Sequence, residues 1–336
     1  MKTGKKVFIV LFCFMLVVAL SGCSSTPSQP ATSDGEKSKE VTLKVFGAWP
    51  EGTNNLRTVP DLIDKVAEKS DGTVKIVWGG GPEAIPANQL AEALKNGVVD
   101  IAYTTPSFMS SHVKLAEAQK LIKPLEIRKN GGFEFIDSVY LRDLNTHYLG
   151  AISSSQTYSL YSNKKIEKLD DFKGLTFRAT PVYQALLEKL GAGVVNISIP
   201  ETYQALERNV VQGFGYPSVG IMDFGWHEVT KYVIEPGFFN VDTGVYMSDA
   251  AWQKLDEKQR AAIKEAAAEI EVECDEFYKK HLAEEKEKLT AAGMEYATLT
   301  EDVAEEFLKI ANDAAWESAL KVAPEDAAKL REFAEK

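Results

Sequence analysis

The sequence has few cysteines and histidines, and their positions argue against two common kinds of site. It contains three cysteines and four histidines in 336 residues, and Cys13 and Cys23 both lie near the N-terminus. Cys274 is then left alone in the rest of the chain, so we expect no internal disulfide. No histidine has a partner at metal-ligand spacing, and the GxSxG and HExxH motifs of hydrolases are absent. The sequence therefore predicts no metal site and no enzyme active site.

Positive charge is also scarce. The chain has 49 acidic and 38 basic residues and a formal net charge of −11, which argues against binding to nucleic acid or to an anionic membrane surface. Gly79 to Gly81 are followed by neither GK[ST] nor a GxGxxG pattern, so we predict no nucleotide and no other cofactor. These glycines form either a plain loop or a place where backbone N–H groups approach a ligand.

The N-terminus has the features of an export signal. Three lysines precede an apolar run, Val7–Leu20, which is too short to span a membrane and ends at Leu20-Ser21-Gly22-Cys23. This order fits the bacterial lipobox, although an ordinary signal peptide with an incidental cysteine has a similar pattern. We predict a lipoprotein signal peptide at 1–22, a lipid on Cys23 and a disordered tether at 23–40. The expected location is outside the cytoplasm, anchored by lipid in the periplasm or on the outer face of the cell membrane.

The remaining residues alternate between strand and helix patterns. This order predicts an α/β fold with a parallel sheet covered by helices, and a second set of strands begins at Gly150. Asp256–Ala292 lacks glycine and proline, so it is either one long helix or two helices that meet. The strands of the first unit are expected at 42–46, 74–78 and 98–103, and its helices at 56–69 and 87–96.

The segment Gly174–Pro217 carries most of the functional information. It has the pattern strand, helix, strand, helix, strand, with the last two strands expected at 194–199 and 210–214. Arg178 ends the first of these strands, just before a helix that Pro181 can start. Open α/β sheets bind ligands at this edge, and a guanidinium group pairs well with a carboxylate. The alternative is a structural ion pair.

This segment closely resembles the signature region of the TRAP-transporter solute-binding proteins of the DctP type. In that family the arginine at this strand end forms a salt bridge with the ligand's carboxylate. Asn209 replaces the usual glycine, Gln212 replaces the usual aspartate, and Tyr216-Pro217 replaces an Asn-Pro pair whose asparagine contacts ligand. The family pattern S-E-x-Y-x-A-L-x-x-G-x-x-D-G is matched at Pro200, Glu201, Tyr203, Ala205, Leu206, Asn209, Gln212 and Gly213.

The resemblance extends over residues 41–336 and implies a two-lobed, periplasmic-binding-protein-like fold of type II character. The lobes would be discontinuous, with 41–153 plus 244–285 in lobe I and 154–243 plus 286–336 in lobe II, and the long helix would cross both. The implied function is that of an extracytoplasmic receptor. It would bind an organic acid between the lobes and deliver it to an ion-gradient-driven membrane permease.

The expected ligand-binding residues combine one cation with aromatic and polar side chains. Some relatives place a second arginine about twenty residues before the first, where this chain has the neutral residues Ser155 to Tyr158. A strict specificity for dicarboxylates is therefore not expected. The complete predicted set is Arg178, Tyr216, Trp49, Gln156, Thr104, Phe239, Tyr203 and Glu83.

Three other functions remain open at this stage. The chain could be the binding protein of an ABC importer or of a sensor system, which a neighbouring permease gene would decide. It could be a lipid-anchored hydrolase with an unrecognised site, which would turn over an ester or a peptide. It could also be a structural lipoprotein of the cell envelope, which would bind no small molecule.

Overall fold

The computed structural model describes residues 38–335. The predicted signal peptide, Cys23 and the tether up to residue 37 lie outside the described residues. No helix within 38–335 combines the length and the apolar character that a membrane crossing requires.

The strands form two separate sheets. The first sheet has the order β2-β1-β3-β10-β4, and the second has the order β11-β9-β5-β8-β6-β7. We call each sheet with its covering helices a lobe, first and second. In chain order the strands are β1 (Val41–Gly47), β2 (Val74–Gly80), β3 (Ile101–Thr104), β4 (Thr146–Ala151), β5 (Tyr158–Ser162), β6 (Thr176–Arg178), β7 (Gly193–Val195), β8 (Gly213–Pro217), β9 (Tyr232–Glu235), β10 (Gly244–Ser248) and β11 (Glu295–Thr298).

Helices cover these sheets and fill their connections. The α-helices are α1 (Val59–Lys69), α2 (Leu90–Lys95), α3 (Pro124–Asn130), α4 (Gly132–Leu144), α5 (Pro181–Lys189), α6 (Ile199–Glu207), α7 (Asp249–Trp252), α8 (Glu257–Ala291), α9 (Glu301–Val322) and α10 (Pro324–Ala334). Short 3₁₀ helices lie at Asn54–Leu56, Ala87–Gln89, Pro106–Phe108, Lys114–Leu121, Leu169–Phe172, Ile221–Phe224 and Trp226–Val229.

The parallel βαβαβ prediction is confirmed for the first three strands, because β1 pairs in parallel with both β2 and β3. The sequence did not reveal the rest of the first sheet. The late strand β10 returns from the second lobe and inserts between β3 and β4, antiparallel to both. The first sheet is therefore mixed.

The long helix predicted at 256–292 is confirmed as one continuous helix, α8, which begins with a capping box between Asp256 and Gln259. It packs against both lobes. Its Glu271 accepts a hydrogen bond from the backbone N–H of Ala151 in the first lobe, with an N···O distance of 2.7 Å. Near its other end, Leu289 belongs to a core of the second lobe. This single helix therefore contacts both lobes.

The predicted strands at 194–199 and 210–214 were wrong in their limits. The first ends at Val195, because Pro200 lies in the first turn of α6 and the chain must leave the sheet to begin that helix. The second begins at Gly213, after a left-handed turn at Asn209 with φ of 56°. Asparagine tolerates this conformation better than other non-glycine residues, which explains how it replaces the family's glycine. The Gln212 amide oxygen accepts from the backbone N–H of Thr176 at 2.9 Å, so this residue ties β6 to the same turn.

Two segments that run side by side connect the lobes. One leads from β4 to β5 and the other from β9 to β10. They are joined by hydrogen bonds from the Ile152 N–H to the Thr243 carbonyl (2.9 Å) and from the Val241 N–H to the Gln156 carbonyl (3.0 Å). Paired segments that connect two lobes in this way are a common form of hinge in two-lobed proteins.

The C-terminal helices contribute to both lobes. Phe307 of α9 is buried in the core of the second lobe. Ala327 and Leu330 of α10 are buried in the core of the first lobe. The exact lobe boundaries stay a prediction.

Candidate ligand-binding cleft

Three strand ends of the second lobe meet at one edge of its sheet. The central strand β6 pairs in parallel with both β7 and β8, so the three carboxyl ends lie together. The segments that follow β6 and β7 lead directly into the N-termini of α5 and α6. Thr180 and Ser198, which precede these helices, both line one cavity at this edge of the sheet. Helix N-termini carry unpaired N–H groups and partial positive charge, so this edge favours an anion.

Arg178 is the last residue of β6 and lies at the centre of this edge. Its side chain is buried, with 3% of its surface exposed. Its Nε donates to the carbonyl of Ile197 at 3.0 Å, and its guanidinium lies 5.8 Å from the ring centroid of Trp226. Within residues 38–335 it forms no salt bridge with a carboxylate. Burial lowers the pKa of Arg178, since it removes water from a charge that no acidic side chain compensates.

Arg178 faces an inner cavity of about 30 Å³ between the lobes. Aromatic residues from both lobes line it: Trp49 comes from the first lobe, and Tyr183 and Tyr216 come from the second. Thr105 and Ser107 add hydroxyl groups from the first lobe. The inner cavity therefore combines one cation, apolar walls and several hydroxyls.

The same arginine also lines a larger outer cavity of about 710 Å³. One wall of this outer cavity comes from the loops after β1 and β2 and includes Pro50 and Glu83. The opposite wall is the segment from Asn196 to Pro200 in the second lobe. The two cavities adjoin, because they share the lining residues Ser107, Phe108, Arg178, Thr180 and Ile199, and together we call them the cleft.

Hydrogen bonds join the lobes beside this cleft. The Asn55 side-chain amide donates to the Tyr216 hydroxyl at 2.7 Å. The backbone N–H of Asn54 donates to the Asp223 carboxylate at 2.8 Å. Burial raises the pKa of Asp223, and the hydrogen bond from Asn54 opposes that rise. The lobes therefore lie in contact, and Tyr216 both lines the inner cavity and bonds the opposite lobe.

Four of the residues expected from the sequence meet at the cleft. Arg178, Tyr216 and Trp49 line the inner cavity, and Glu83 lines the outer one. The carboxylate of Glu83 accepts a hydrogen bond from the Gly81 N–H at 2.6 Å. This backbone N–H of the glycine loop is therefore already bonded and is not free for a ligand.

The other four expected residues do not line either of these cavities. Thr104 is buried with an unpaired hydroxyl, while its neighbour Thr105 faces the inner cavity. Gln156 is buried in the hinge, and both of its side-chain amide atoms are unpaired. Phe239 is packed in the core of the second lobe, and Tyr203 bonds Glu228 at 3.3 Å on the surface of α6.

Sequence reasoning missed several residues of the inner cavity. Tyr158 and Tyr183 both line it, and Asp242 lies directly behind its wall. A signal existed for Asp242, which is a lone acid inside the apolar stretch 238–247. Within the described part of the chain, no group of three histidine, cysteine, aspartate or glutamate side chains could hold a metal ion.

Comparison with known proteins assigns the chain to a family. A family model described as bacterial extracellular solute-binding protein, family 7 (DctP), matches residues 47–321. The sialic acid-binding periplasmic protein SiaP of Vibrio cholerae is 27% identical over 244 residues, which cover 68% of this chain and 74% of SiaP. A monocarboxylate 2-oxoacid-binding periplasmic protein of Nostoc is 22% identical over 294 residues, 84% of this chain and 80% of that protein.

Solved structures share the fold. A TRAP periplasmic solute-binding protein from Desulfovibrio salexigens with bound orotic acid superposes with a TM-score of 0.79 at 16% identity, over 88% of this chain and 97% of that one. The Bordetella pertussis receptor DctP6, which binds pyroglutamic acid, gives a TM-score of 0.78 at 17% identity, over 88% and 99% of the two chains. The predicted two-lobed fold and the resemblance are thereby confirmed. These relatives are solute-binding receptors rather than enzymes, and the chain belongs to the DctP family of extracellular solute-binding proteins that serve TRAP transporters.

Proposed function

We propose that this protein binds an organic acid in the cleft and that Arg178 holds the ligand's carboxylate. The observation that carries the proposal is a buried guanidinium that faces the cleft and has no acidic partner among the described residues. A buried charge is costly unless something pairs with it. A ligand carboxylate would supply the missing partner, and two N–H groups of the guanidinium could reach it side by side.

The surroundings of Arg178 support an anionic head with an apolar body. The N-termini of α5 and α6 add partial positive charge beside it. Aromatic rings from both lobes would enclose the rest of the ligand. Since Ser155 to Tyr158 are neutral, the chain offers no second arginine there for a second carboxylate.

The names of the relatives support the same ligand class. The Nostoc protein is described as binding monocarboxylate 2-oxoacids, and the solved neighbours hold orotic acid or pyroglutamic acid. Each of these molecules carries a carboxylate. The protein would act as a receptor without catalysis and would deliver its ligand to a TRAP permease in the membrane.

Closure of the lobes around the ligand is the proposed mechanism. Open and closed forms interconvert about the two crossing segments, and a ligand that touches both lobes favours the closed form by its differential affinity. The hinge would join lobe I (41–153 and 244–285) to lobe II (154–243 and 286–336), with α10 of the latter range packed against the core of the first lobe. A lipid on Cys23 would keep the receptor at the membrane, close to the permease.

A thermal-shift screen of the purified protein against a panel of organic acids tests the proposal. The protein is first unfolded and refolded to remove co-purified ligand. Binding at a hundred times the Kd adds about 2.7 kcal/mol to the free energy of unfolding, which raises Tm by several degrees. Arg178→Lys keeps the charge but loses the forked donors, so the shift should shrink strongly. Arg208→Ala, at an exposed arginine of the same lobe, is the control and should keep it.

Two results would overturn the proposal. One is the absence of a shift with every acid in the panel. The other is an acid that shifts the Arg178→Lys variant as much as the wild type, since the carboxylate would then lie elsewhere.

A further inference from the structure

A carboxylate lies behind the inner cavity, on the hinge between the lobes. Asp242 belongs to the segment that leads from β9 to β10, and 5% of its surface is exposed. Its Oδ1 atom accepts a hydrogen bond from the Tyr158 hydroxyl at 2.7 Å and from the Thr105 hydroxyl at 3.1 Å. Tyr158 comes from the second lobe and Thr105 from the first, and both line the inner cavity. One carboxylate therefore fixes a hydroxyl from each lobe.

These two bonds determine what the hydroxyls can offer a ligand. A hydroxyl has one hydrogen to donate and two lone pairs that accept. Tyr158 and Thr105 donate their hydrogens to Asp242, so only lone pairs remain for the cavity. Thr105 Oγ1 also lies 3.4 Å from the Ser107 hydroxyl, which can donate to one of its lone pairs and leaves the other for a ligand. Burial raises the pKa of Asp242 to about 6, and the carboxylate is ionised above that pH. An ionised carboxylate accepts but cannot donate, which keeps both hydroxyls in this orientation.

Another part of the inner-cavity lining has the reverse character. Arg178 presents guanidinium donors there and has no acceptor atoms. Thr180, Tyr183 and Thr243 also line the cavity, and in the described structure none of them bonds a carboxylate, so they can donate or accept. The fixed groups are thus donors on the Arg178 side and acceptors on the Asp242 side.

The buried charges near the cavity also limit the ligand. Lys120 is buried, and its ammonium donates to the Val182 carbonyl at 2.7 Å. Its charge and that of Asp242 act on each other. The charge of Glu117 acts on Lys120 ahead of that of Asp242, so Lys120 has acidic groups to offset it, whereas Arg178 has none among the described residues. One ligand carboxylate would pair with Arg178, whereas a second would lie in a buried site with no cation left to pair with it.

We propose that Asp242 is a positioning residue that makes one side of the inner cavity an acceptor, so that the receptor selects monocarboxylic acids that also carry a hydrogen-bond donor. The donor would be a hydroxyl or an N–H group directed at Tyr158 and Thr105. This inference rests on the proposed function, because it presupposes that Arg178 holds a carboxylate.

Isothermal titration of the purified protein with matched acids tests the inference. The pairs are lactate against pyruvate, mandelate against phenylglyoxylate, and 4-hydroxyphenylacetate against phenylacetate. The first two pairs exchange a hydroxyl for a ketone oxygen and the third exchanges a hydroxyl for hydrogen, so charge is matched within each pair and one member alone has the donor. A preference shared by pairs of different geometry, read as the ratio of the two Kd values, reports the contribution of the donor. In at least one pair we expect the donor-bearing acid to bind about tenfold or more tightly. Phenylglycine against mandelate then separates an ammonium donor from a hydroxyl.

Variants separate positioning from general stability. Asp242→Asn can donate to the two hydroxyls, which lets them turn their hydrogens toward the cavity, so the Kd ratio should fall to about one or invert. Tyr158→Phe removes one of the two acceptors and should lower the ratio even if the Asp242 variant does not fold. Tyr103→Phe is the matched control: it removes a buried hydroxyl that bonds the Thr58 carbonyl at 3.1 Å outside the cleft, and it should leave the ratio unchanged.

The outcomes distinguish this inference from the proposed function. If no acid of the pairs or of the wider thermal-shift panel binds, both fail. If a panel acid that carries no hydrogen-bond donor binds and none of the donor-bearing acids does, the proposed function stands and the donor selection is refuted. Another outcome is that acids bind and that Arg178→Lys lowers their affinity, but that donor-bearing and donor-free members of each pair bind with equal affinity. The proposed function then stands and the donor selection is refuted. If the Kd ratio survives in both Asp242→Asn and Tyr158→Phe, Asp242 is a structural residue only.

Discussion

Two arginines of this protein, the partly exposed Arg128 and the buried Arg178, should respond in different ways when each is replaced by methionine. Arg128 of α3 forms an ion pair with Glu271 of α8, whose side chain is 1% exposed, and it also donates to the Leu149 carbonyl at 2.8 Å. Arg178 has a single bond to the Ile197 carbonyl and no acidic partner among the described residues. The first arginine is part of a partly buried ion-pair network, whereas the second is the proposed anchor for a ligand.

The magnitudes follow from these partners. Arg128→Met leaves a buried carboxylate unpaired, which typically costs about 3–5 kcal/mol. Arg178→Met loses one hydrogen bond, worth about 1 kcal/mol, but it also removes a buried charge that nothing compensates. We therefore expect the free energy of unfolding of the ligand-free Arg178 variant to equal that of the wild type or to exceed it by about 1–2 kcal/mol.

Urea denaturation of the ligand-free proteins, followed by tryptophan fluorescence, measures both effects. Equal m-values would show that the variants unfold from comparable native states. The same Arg178→Met protein should no longer bind acids in a titration. A loss of stability in Arg178→Met as large as that in Arg128→Met would refute the reasoning, because Arg178 would then be a structural residue.

Three further predictions follow from individual contacts. The pKa of Asp242, raised to about 6, means that the native state binds a proton more tightly than the unfolded state. Because of this group, the free energy of unfolding should therefore fall by about 3 kcal/mol as the pH rises from about 4 to about 6. Urea titrations of the wild type and of Asp242→Asn would show whether this pH dependence disappears in the variant. Tyr216→Phe removes the bond from Asn55 across the cleft and should weaken acid binding several-fold, by about 0.5–1.5 kcal/mol; an unchanged Kd together with an unchanged radius of gyration in X-ray scattering would show that this contact does not favour closure. Asn209 has a φ of 56°, so Asn209→Gly should change the free energy of unfolding by less than about 1 kcal/mol, whereas Asn209→Ala should lower it by about 1–2 kcal/mol. Equal Tm values for the two variants would contradict this account of the turn.

The sequence predicted those parts of the molecule that depend on local pattern. The long helix could be foreseen because its composition and its capping residues lie within one segment. The position of Arg178 at a strand end could be foreseen because a strand, a loop and a helix start follow one another at that point. The limits of the strands near Val195 and Gly213 could not be foreseen, because short apolar runs do not show where a turn interrupts them.

The other half of the site depends on contacts between distant positions. Tyr158 and Asp242 are separated by 84 residues in the chain, and Asn55 and Tyr216 by 161. No local pattern links such pairs, so the sequence could suggest a tyrosine or an acid but not their bond. Thr104 illustrates the same limit at short range, since its neighbour Thr105 is the residue that faces the inner cavity.

The most direct test of the central claim is a crystal structure of the protein with the tightest-binding acid of the panel. We predict that the ligand's carboxylate lies within hydrogen-bond distance of the Arg178 guanidinium, inside the cleft. Its donor group should point toward Tyr158 and Thr105. A ligand whose carboxylate lies away from Arg178, or one bound outside the cleft, would contradict the account.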